Sequence, residues 1–157
     1  MITVNIEHDG ITLMVPTFIK DNDLWPYQLP LQSWPSFCGA GEGLGDYIVP
    51  DHICGINISP ACFIHDCEYA VNDHNWMAFY SANDRLRKNI KSIVDTKLHG
   101  HDRIAGHAIA DEYYLAVMMF GWPNFTPDAT IKNWFESKIM KSKLHRLAMA
   151  DLNNKEL

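Results

Sequence analysis

The chain has 157 residues, a length typical of one domain that buries a hydrophobic core without extra crosslinks. Its 47% hydrophobic and 20% charged residues are ordinary for a soluble globular protein. The 13 basic and 19 acidic residues give a formal net charge of −6, which argues against nucleic acid as the main partner.

Neither a secretory signal nor a membrane span is expected. Residues 1–7 lack the basic region and the continuous apolar region of a signal peptide. No window approaches about 18 consecutive apolar residues, the length that a transmembrane helix needs. We therefore expect a protein that is cytoplasmic or is released without a conventional signal.

The N-terminal residues 1–20 are predicted to form a β-hairpin. Branched apolar residues occupy every second position over residues 2–6 and again over residues 11–15, and Asp9-Gly10 lies between the two runs. Period-two alternation on both sides of an Asp-Gly pair is a strong hairpin signal.

Two segments without regular helix follow. Three prolines between Trp25 and Pro35 exclude a regular helix there, because each removes a backbone donor and restricts the preceding residue. Residues 37–58 contain five glycines and are expected to form a loop that can bind a metal.

The remaining residues, 59–150, have the pattern of helices. Ser59 is a good N-cap and Pro60 suits the first helical position. Apolar residues at helical spacing predict further helices over residues 76–98, 102–120 and 128–150. Gly100 is the expected stop of the second helix. The expected fold is a single, mainly α-helical domain over residues 1–157.

The most informative feature is a glycine-rich loop followed by a helix with adjacent histidine and aspartate. The backbone of residues 37–41 can turn carbonyl groups toward a hard cation, because glycine tolerates unusual dihedral angles. His65 and Tyr69 share a helix face, while Asp66 projects about 100° away. A histidine can deprotonate water, and a neighbouring cation can polarise a carbonyl group. These residues therefore predict a metal-dependent hydrolase.

The same residues resemble a known family. Phe-Cys-Gly-Ala-Gly at residues 37–41 is similar to the calcium loop, Tyr-Cys-Gly-x-Gly, of secreted phospholipase A2 enzymes. Residues 62–69 are similar to their Cys-x-x-His-Asp-x-x-Tyr active-site helix. The resemblance covers residues 37–90 and is greater to bacterial and phage members. It implies antiparallel active-site helices and calcium-dependent hydrolysis of the sn-2 ester of glycerophospholipids at a membrane surface.

The resemblance also implies roles for individual residues. His65 is expected to be the general base, Asp66 to bind Ca²⁺, and Tyr69 to support the histidine. The carbonyl ligands of the calcium ion would come from the loop residues Phe37, Gly39 and Gly41. The backbone around Gly39, together with the calcium ion, would form the oxyanion site.

The four cysteines have two interpretations. The resemblance implies a disulfide between Cys38 and Cys62 that connects the loop to the helix. Cys54 and Cys67 are then expected either to form a second disulfide or to be buried as small apolar residues. The residues alone also leave open a structural zinc site that all four would form.

The chain departs from the family pattern at three points. Phe37 replaces the usual tyrosine, and the longer segment after the loop also allows Glu42 or Asp46 to enter the cation shell. The carboxylate that orients the family's histidine is replaced by Asn83, with Asp84 as the alternative. The Asn83 amide oxygen is expected to accept the Nδ1 proton and fix the tautomer without stabilising the imidazolium by charge.

Other functions remain compatible with these residues. The loss of the orienting carboxylate favours a catalytically weak module that binds a membrane or a protein. A His-Asp metal phosphohydrolase would use His52, His65 and Asp66 on a transition metal. A zinc-stabilised scaffold without turnover is the third possibility.

Two further features are compatible with binding to lipid. The aromatic residues of segments 25–34 and 122–125 are either anchors at a lipid interface or packed in the core, and packing is the favoured interpretation. Residues 129–149 carry a local charge of +4, which suits either an anionic lipid surface or a solvated helix face.

Overall fold

The computed structural model describes residues 1–25, 29–34, 37–38, 50–71, 75–122 and 125. The helix predicted over residues 128–150 lies outside the described residues. So do the basic residues of segment 129–149 and the glycines between residues 39 and 45.

The predicted N-terminal hairpin is confirmed. Strand β1, Thr3–His8, pairs antiparallel with strand β2, Ile11–Pro16. Asp9 and Gly10 form the two-residue turn with φ values of 51° and 74°. Positive φ at both turn positions matches the right-handed twist of the two strands, and Asp-Gly adopts it readily. The prediction for residues 1–20 missed a short helix, α1, at Thr17–Asp21.

A second, smaller hairpin lies in the segment 37–58, which was predicted to be a loop throughout. Strand β3, His52–Ile53, pairs with strand β4, Ile56–Asn57. Both residues of the intervening turn, Cys54 and Gly55, have positive φ, at 49° and 80°. Strands of two residues have too few alternating positions to give a sequence signal.

Three long helices make the described part of the chain mainly helical, as predicted. They are α2 at Ser59–Val71, α3 at Trp76–Lys97 and α4 at Gly100–Phe120. Gly100 was wrongly expected to end the second helix. It is the first residue of α4, with φ of 56°, and the helices are separated by Leu98 and His99 in extended conformation.

Helix α3 lies at the centre of the fold, in contact with α2, α4 and β2. Its buried face follows the helical period and consists of Phe79, Ala82, Asn83, Leu86, Asn89, Ile90, Ile93 and Val94. Gly106 allows α4 to approach closely, since a Cβ atom there would lie 2.9 Å from a methyl group of Val94. The antiparallel α3–α4 pair therefore has little space between its helices at this point.

The core joins the hairpin, α2 and α3. The apolar residues of β2 that face it are Ile11, Leu13 and Val15, all fully buried. Trp25 and Trp34 are also buried, in an aromatic cluster with Phe63 of α2. For Trp25 and Trp34, the interpretation that these aromatic residues pack in the core is therefore correct. None of the helices in the described ranges is long and apolar enough to cross a bilayer.

Candidate functional site

His65 and Tyr69 lie one turn apart on the same face of α2. Both side chains are buried, with 7% of His65 and 8% of Tyr69 exposed. Their ring centroids are 4.0 Å apart and their planes are tilted. Burial raises the pKa of the Tyr69 phenol, so its hydroxyl stays protonated and can donate a hydrogen bond.

Asn83 of α3 connects these two side chains. Its Oδ1 atom lies 2.7 Å from His65 Nε2 and accepts a hydrogen bond from the Tyr69 hydroxyl at 2.7 Å. An amide oxygen only accepts, so the proton in the contact with His65 must be carried by Nε2. The neutral imidazole then has its lone pair on Nδ1. The expectation that Asn83 would accept the Nδ1 proton is therefore wrong, since the nitrogen that faces Asn83 is Nε2.

The other end of the Asn83 amide is held by α4. Its Nδ2 atom donates to the sulfur of Met118 at 3.3 Å, and the side chain is fully buried. Two donors on one side and a weak acceptor on the other give the amide a defined orientation, with the oxygen toward His65. Sequence reasoning missed Met118, because a methionine in an apolar helix gives no signal that distinguishes it from core packing.

Asp84, the alternative partner for His65, forms a different interaction. Its carboxylate lies 2.7 Å from Lys88 Nζ, one turn further along α3. It therefore makes a partly exposed i,i+4 ion pair along α3. Of these two neighbouring residues, Asn83 is the one that contacts the histidine.

Asp66 lies beside the other nitrogen of His65. Its Oδ1 atom is 3.7 Å from Nδ1, which is too far for a direct hydrogen bond, and 35% of its side chain is exposed. Partial burial raises the pKa of the Asp66 carboxyl, while the neighbouring His65 acts in the opposite direction. The lone pair of His65 and the carboxylate of Asp66 thus lie on the same edge of α2.

The start of the glycine-rich loop is attached to α2. A disulfide joins Cys38 to Cys62, as the family resemblance implied. Cys62 lies one turn before Asp66 on the same helix, so the disulfide holds the Phe37–Cys38 peptide near that carboxylate. Gly39 and Gly41, the other two expected carbonyl ligands, lie outside the described residues.

Asp51 is a further polar residue at this end of the loop. Its Oδ1 atom accepts hydrogen bonds from the backbone N–H groups of Phe37 and Cys38, at 3.1 and 2.9 Å. It also accepts one from the Ser59 hydroxyl at 3.2 Å. Sequence reasoning assigned it no role. Its position eight residues before the start of α2 was the available signal, but a single carboxylate there does not indicate what it binds.

Glu68 forms a second polar link between α2 and α3. It is buried, and its Oε1 atom pairs with Arg85. Desolvation raises the pKa of Glu68 to about 7, against the opposing charge of Arg85. Within the described part of the chain, its Oε2 atom has no hydrogen-bond partner.

The two remaining cysteines are free thiols. Cys67 is buried, as one of the two expectations had it, whereas Cys54 is exposed. The second disulfide is therefore absent between these two described residues. The four-cysteine zinc site is also wrong, because the Cys38–Cys62 disulfide consumes two of the four thiols.

Transition-metal ligands do not cluster in the described ranges of the chain. No three histidine, cysteine, aspartate or glutamate side chains there are grouped to bind one metal ion. His52, which the phosphohydrolase interpretation requires beside His65 and Asp66, is exposed on strand β3. A calcium site built from one carboxylate and backbone carbonyls is a different donor set, to which this observation does not apply.

The site thus combines a buried histidine with a fixed tautomer, a partly exposed aspartate and a disulfide-tethered loop. A neutral imidazole with its lone pair directed toward a carboxylate can act as a general base for water. Comparison of the chain with protein-family models, with curated proteins and with solved structures found no match.

Proposed function

We propose that this chain hydrolyses the sn-2 acyl ester of glycerophospholipids at a membrane surface in a calcium-dependent reaction. The observation that carries the proposal is the buried contact between His65 Nε2 and Asn83 Oδ1. It leaves Nδ1 as the basic nitrogen, 3.7 Å from the Asp66 carboxylate. A base and a cation-binding group at one edge of a helix are what water-mediated ester hydrolysis requires.

The histidine would remove a proton from water as the water attacks the ester carbonyl. Nδ1 takes this proton, while the Nε2 proton remains in the hydrogen bond to Asn83. The resulting imidazolium then returns a proton to the leaving alcohol. Water is the nucleophile, so no covalent intermediate forms with the protein. The amide of Asn83 fixes the tautomer but adds no negative charge to stabilise the imidazolium.

The donor set of the proposed site suits calcium. Asp66 offers a carboxylate and Phe37 a backbone carbonyl, and the proposal adds the carbonyls of Gly39 and Gly41. Calcium binds six to eight oxygen ligands of these types, with water completing the shell. When bound, the ion would polarise the ester carbonyl and stabilise its oxyanion.

The proposal predicts that His65→Gln abolishes turnover and leaves the fold intact. Removing a general base costs about 10²- to 10⁴-fold in rate. The measurement is fatty-acid release from mixed phosphatidylglycerol/phosphatidylcholine vesicles at millimolar calcium, with circular dichroism to verify folding. A folded His65→Gln protein with wild-type release would exclude His65 as the base.

The proposal also predicts that Asp66→Asn abolishes the response to calcium. The amide keeps the shape of the side chain but removes the only anionic ligand assigned to the ion. Calcium is titrated into the same vesicle assay for both proteins. Retained calcium-dependent release in Asp66→Asn would refute the metal assignment.

A second candidate function is a binding module with little turnover. Asn83 lacks the charge of an orienting carboxylate, and several large apolar side chains near the ends of α3 and α4 are exposed. These are Trp76, Met77, Tyr80, Leu115, Met119 and Phe120. Cosedimentation with vesicles without release of fatty acid would favour this function over hydrolysis.

A further inference from the structure

Asp51 connects the start of the glycine-rich loop with the start of helix α2. Its Oδ1 atom accepts hydrogen bonds from Phe37 N–H at 3.1 Å and Cys38 N–H at 2.9 Å. The same atom accepts a hydrogen bond from the hydroxyl of Ser59, the first residue of α2. One carboxylate oxygen thus links the start of the loop to the start of the helix that carries His65 and Asp66.

Asp51 is itself fixed by its surroundings. Its backbone carbonyl accepts a hydrogen bond from Ile58 N–H at 2.8 Å. The carbonyl of the preceding residue, Pro50, accepts a hydrogen bond from the Tyr113 hydroxyl of α4. The backbone on both sides of the Asp51 side chain is therefore held in place, by Ile58 on one side and by Tyr113 of α4 on the other.

The hydrogen bond to Cys38 N–H also sets the direction of a carbonyl group. Cys38 N–H and Phe37 C=O belong to one planar trans peptide unit, in which they point in opposite directions. Binding of the N–H by Asp51 therefore turns the Phe37 carbonyl away from Asp51. The Cys38–Cys62 disulfide holds this peptide against α2, one turn from Asp66.

We propose that Asp51 is a positioning residue for the calcium site, which it serves by orienting the Phe37 carbonyl as a ligand. This inference rests on the proposed calcium-dependent function. Groups that orient metal ligands without touching the metal contribute about 10- to 100-fold to metal affinity. The Asp51 carboxylate acts here through hydrogen-bond geometry rather than through its charge.

The test compares two substitutions that separate geometry from charge. Asp51→Asn keeps an acceptor oxygen at the same distance along the side chain and removes the charge. Asp51→Glu keeps the charge and moves the oxygens by one methylene. Calcium affinity is measured by titration calorimetry with CaCl₂ alone, and vesicle hydrolysis is measured in parallel.

If Asp51 orients the Phe37–Cys38 peptide, the calcium affinity of Asp51→Asn is expected to lie within about threefold of the wild-type affinity. The neutral amide oxygen still accepts the hydrogen bonds that fix the peptide plane. Asp51→Glu is expected to weaken calcium binding about 10- to 100-fold. Asn89→Ala is the control, because it weakens the packing of β2 on α3 without touching the loop. Its calcium affinity is expected to equal that of wild type even where its thermal stability falls as far as that of Asp51→Glu.

Each other outcome overturns the inference. A calcium affinity equal to that of wild type in Asp51→Glu would show that calcium binding does not depend on the orientation of the Phe37–Cys38 peptide. An equal loss in Asp51→Asn and Asp51→Glu, or weak binding by Asn89→Ala, points to charge or to general stability instead. If Asp51→Glu does not fold, a loss in Asp51→Asn alone suffices to refute the geometric role. These results differ from a failure of the proposed function itself. In that case, the wild-type protein would neither bind calcium nor release fatty acid.

Discussion

At the scale of single residues, the site depends on which nitrogen of His65 carries the proton. Asn83 Oδ1 receives two donors, His65 Nε2 and the Tyr69 hydroxyl, and Met118 engages the other end of its amide. This arrangement holds the imidazole in one tautomer, with its lone pair toward Asp66. The site is therefore oriented like that of a general base, but it lacks the negative charge that would stabilise the imidazolium.

This lack of charge can be tested directly. Asn83→Asp adds a carboxylate beside Nε2 and should stabilise the imidazolium, so kcat is expected to rise about tenfold or more. Asn83→Ala removes the acceptor and should lower kcat about 10²-fold, because the tautomer is no longer fixed. Both are measured as initial rates of vesicle hydrolysis at saturating calcium. Equal rates in all three proteins would contradict the role of Asn83.

Asp84 provides the matched comparison. It adjoins Asn83 in the sequence, but its carboxylate pairs with Lys88, one turn further along α3. Asp84→Asn is therefore expected to leave kcat within about twofold of wild type, since a single, partly exposed i,i+4 pair contributes only about 0.3–0.5 kcal/mol. A large loss of kcat in Asp84→Asn would instead assign the orienting role to Asp84.

Part of this site could be predicted from sequence. The four-residue spacing of His65 and Tyr69 put them on one helix face, and the apolar stripe of the next helix directed Asn83 toward the core. The choice of ring nitrogen could not be predicted, because it depends on the rotation of the imidazole between two packed helices. The contacts of Asp51 and Met118 join segments far apart in the chain, for which no local pattern exists.

At the scale of secondary-structure elements, the N-terminal hairpin is attached to α3 by the side chain of Asn89. Its amide forms a pair of hydrogen bonds with the backbone of β2, as the backbone of a neighbouring strand would. Asn89 Oδ1 accepts from Met14 N–H at 2.8 Å, and Asn89 Nδ2 donates to the Met14 carbonyl at 3.0 Å. Ser92 and Lys97 add hydrogen bonds to the carbonyls of Thr12 and Asp9. The contacts to Met14 and Thr12 satisfy backbone groups on the outer edge of β2, which would otherwise be open to pairing with another strand, and the contact to Asp9 holds the turn.

Asn89→Ala should therefore destabilise the fold. The substitution removes two part-buried hydrogen bonds and leaves the N–H and C=O groups of Met14 without these partners, at a cost of about 1–3 kcal/mol in the free energy of unfolding. Ser92→Ala, which removes one exposed hydrogen bond, is expected to cost about 1 kcal/mol or less. Urea denaturation measures both. Equal stability of wild type and Asn89→Ala would show that this edge does not depend on Asn89.

The elements that sequence patterns predicted are those with strong local signals. The Asp9-Gly10 turn and the apolar stripe of α3 specified the first hairpin and the second long helix to within one or two residues. The role of Gly100 was wrong because a positive-φ glycine can begin a helix as well as end one. The six-residue hairpin of β3 and β4 was missed because strands of two residues are too short to show alternation.

At the scale of the whole molecule, α2 is tied to the rest of the fold by interactions of different chemistry. The Cys38–Cys62 disulfide connects it to the loop, Asn83 connects it to α3, and Glu68 pairs with Arg85 in the interior. Of these, the Glu68–Arg85 pair makes global stability depend on pH. Burial of the Glu68 carboxyl favours its protonated form and raises its pKa from 4.5 to about 7.

The sign of this dependence follows from linkage. The pKa of Glu68 is higher in the folded state than in the unfolded state, so its contribution to stability is fully present below pH 4.5. That contribution is lost as the pH rises to about 7. The free energy of unfolding should therefore fall across this range more steeply in wild type than in Glu68→Gln, as measured by urea denaturation at several pH values. Equal slopes in the two proteins would contradict the assignment to Glu68.

The most direct test of the central claim is the release of sn-2 fatty acid from phosphatidylglycerol/phosphatidylcholine vesicles, measured in calcium and again after chelation. If His65 is the general base at a calcium site, wild-type protein releases fatty acid in calcium, chelation stops the release, and His65→Gln releases none. A folded wild-type protein that binds these vesicles in calcium and releases no fatty acid would contradict the claim.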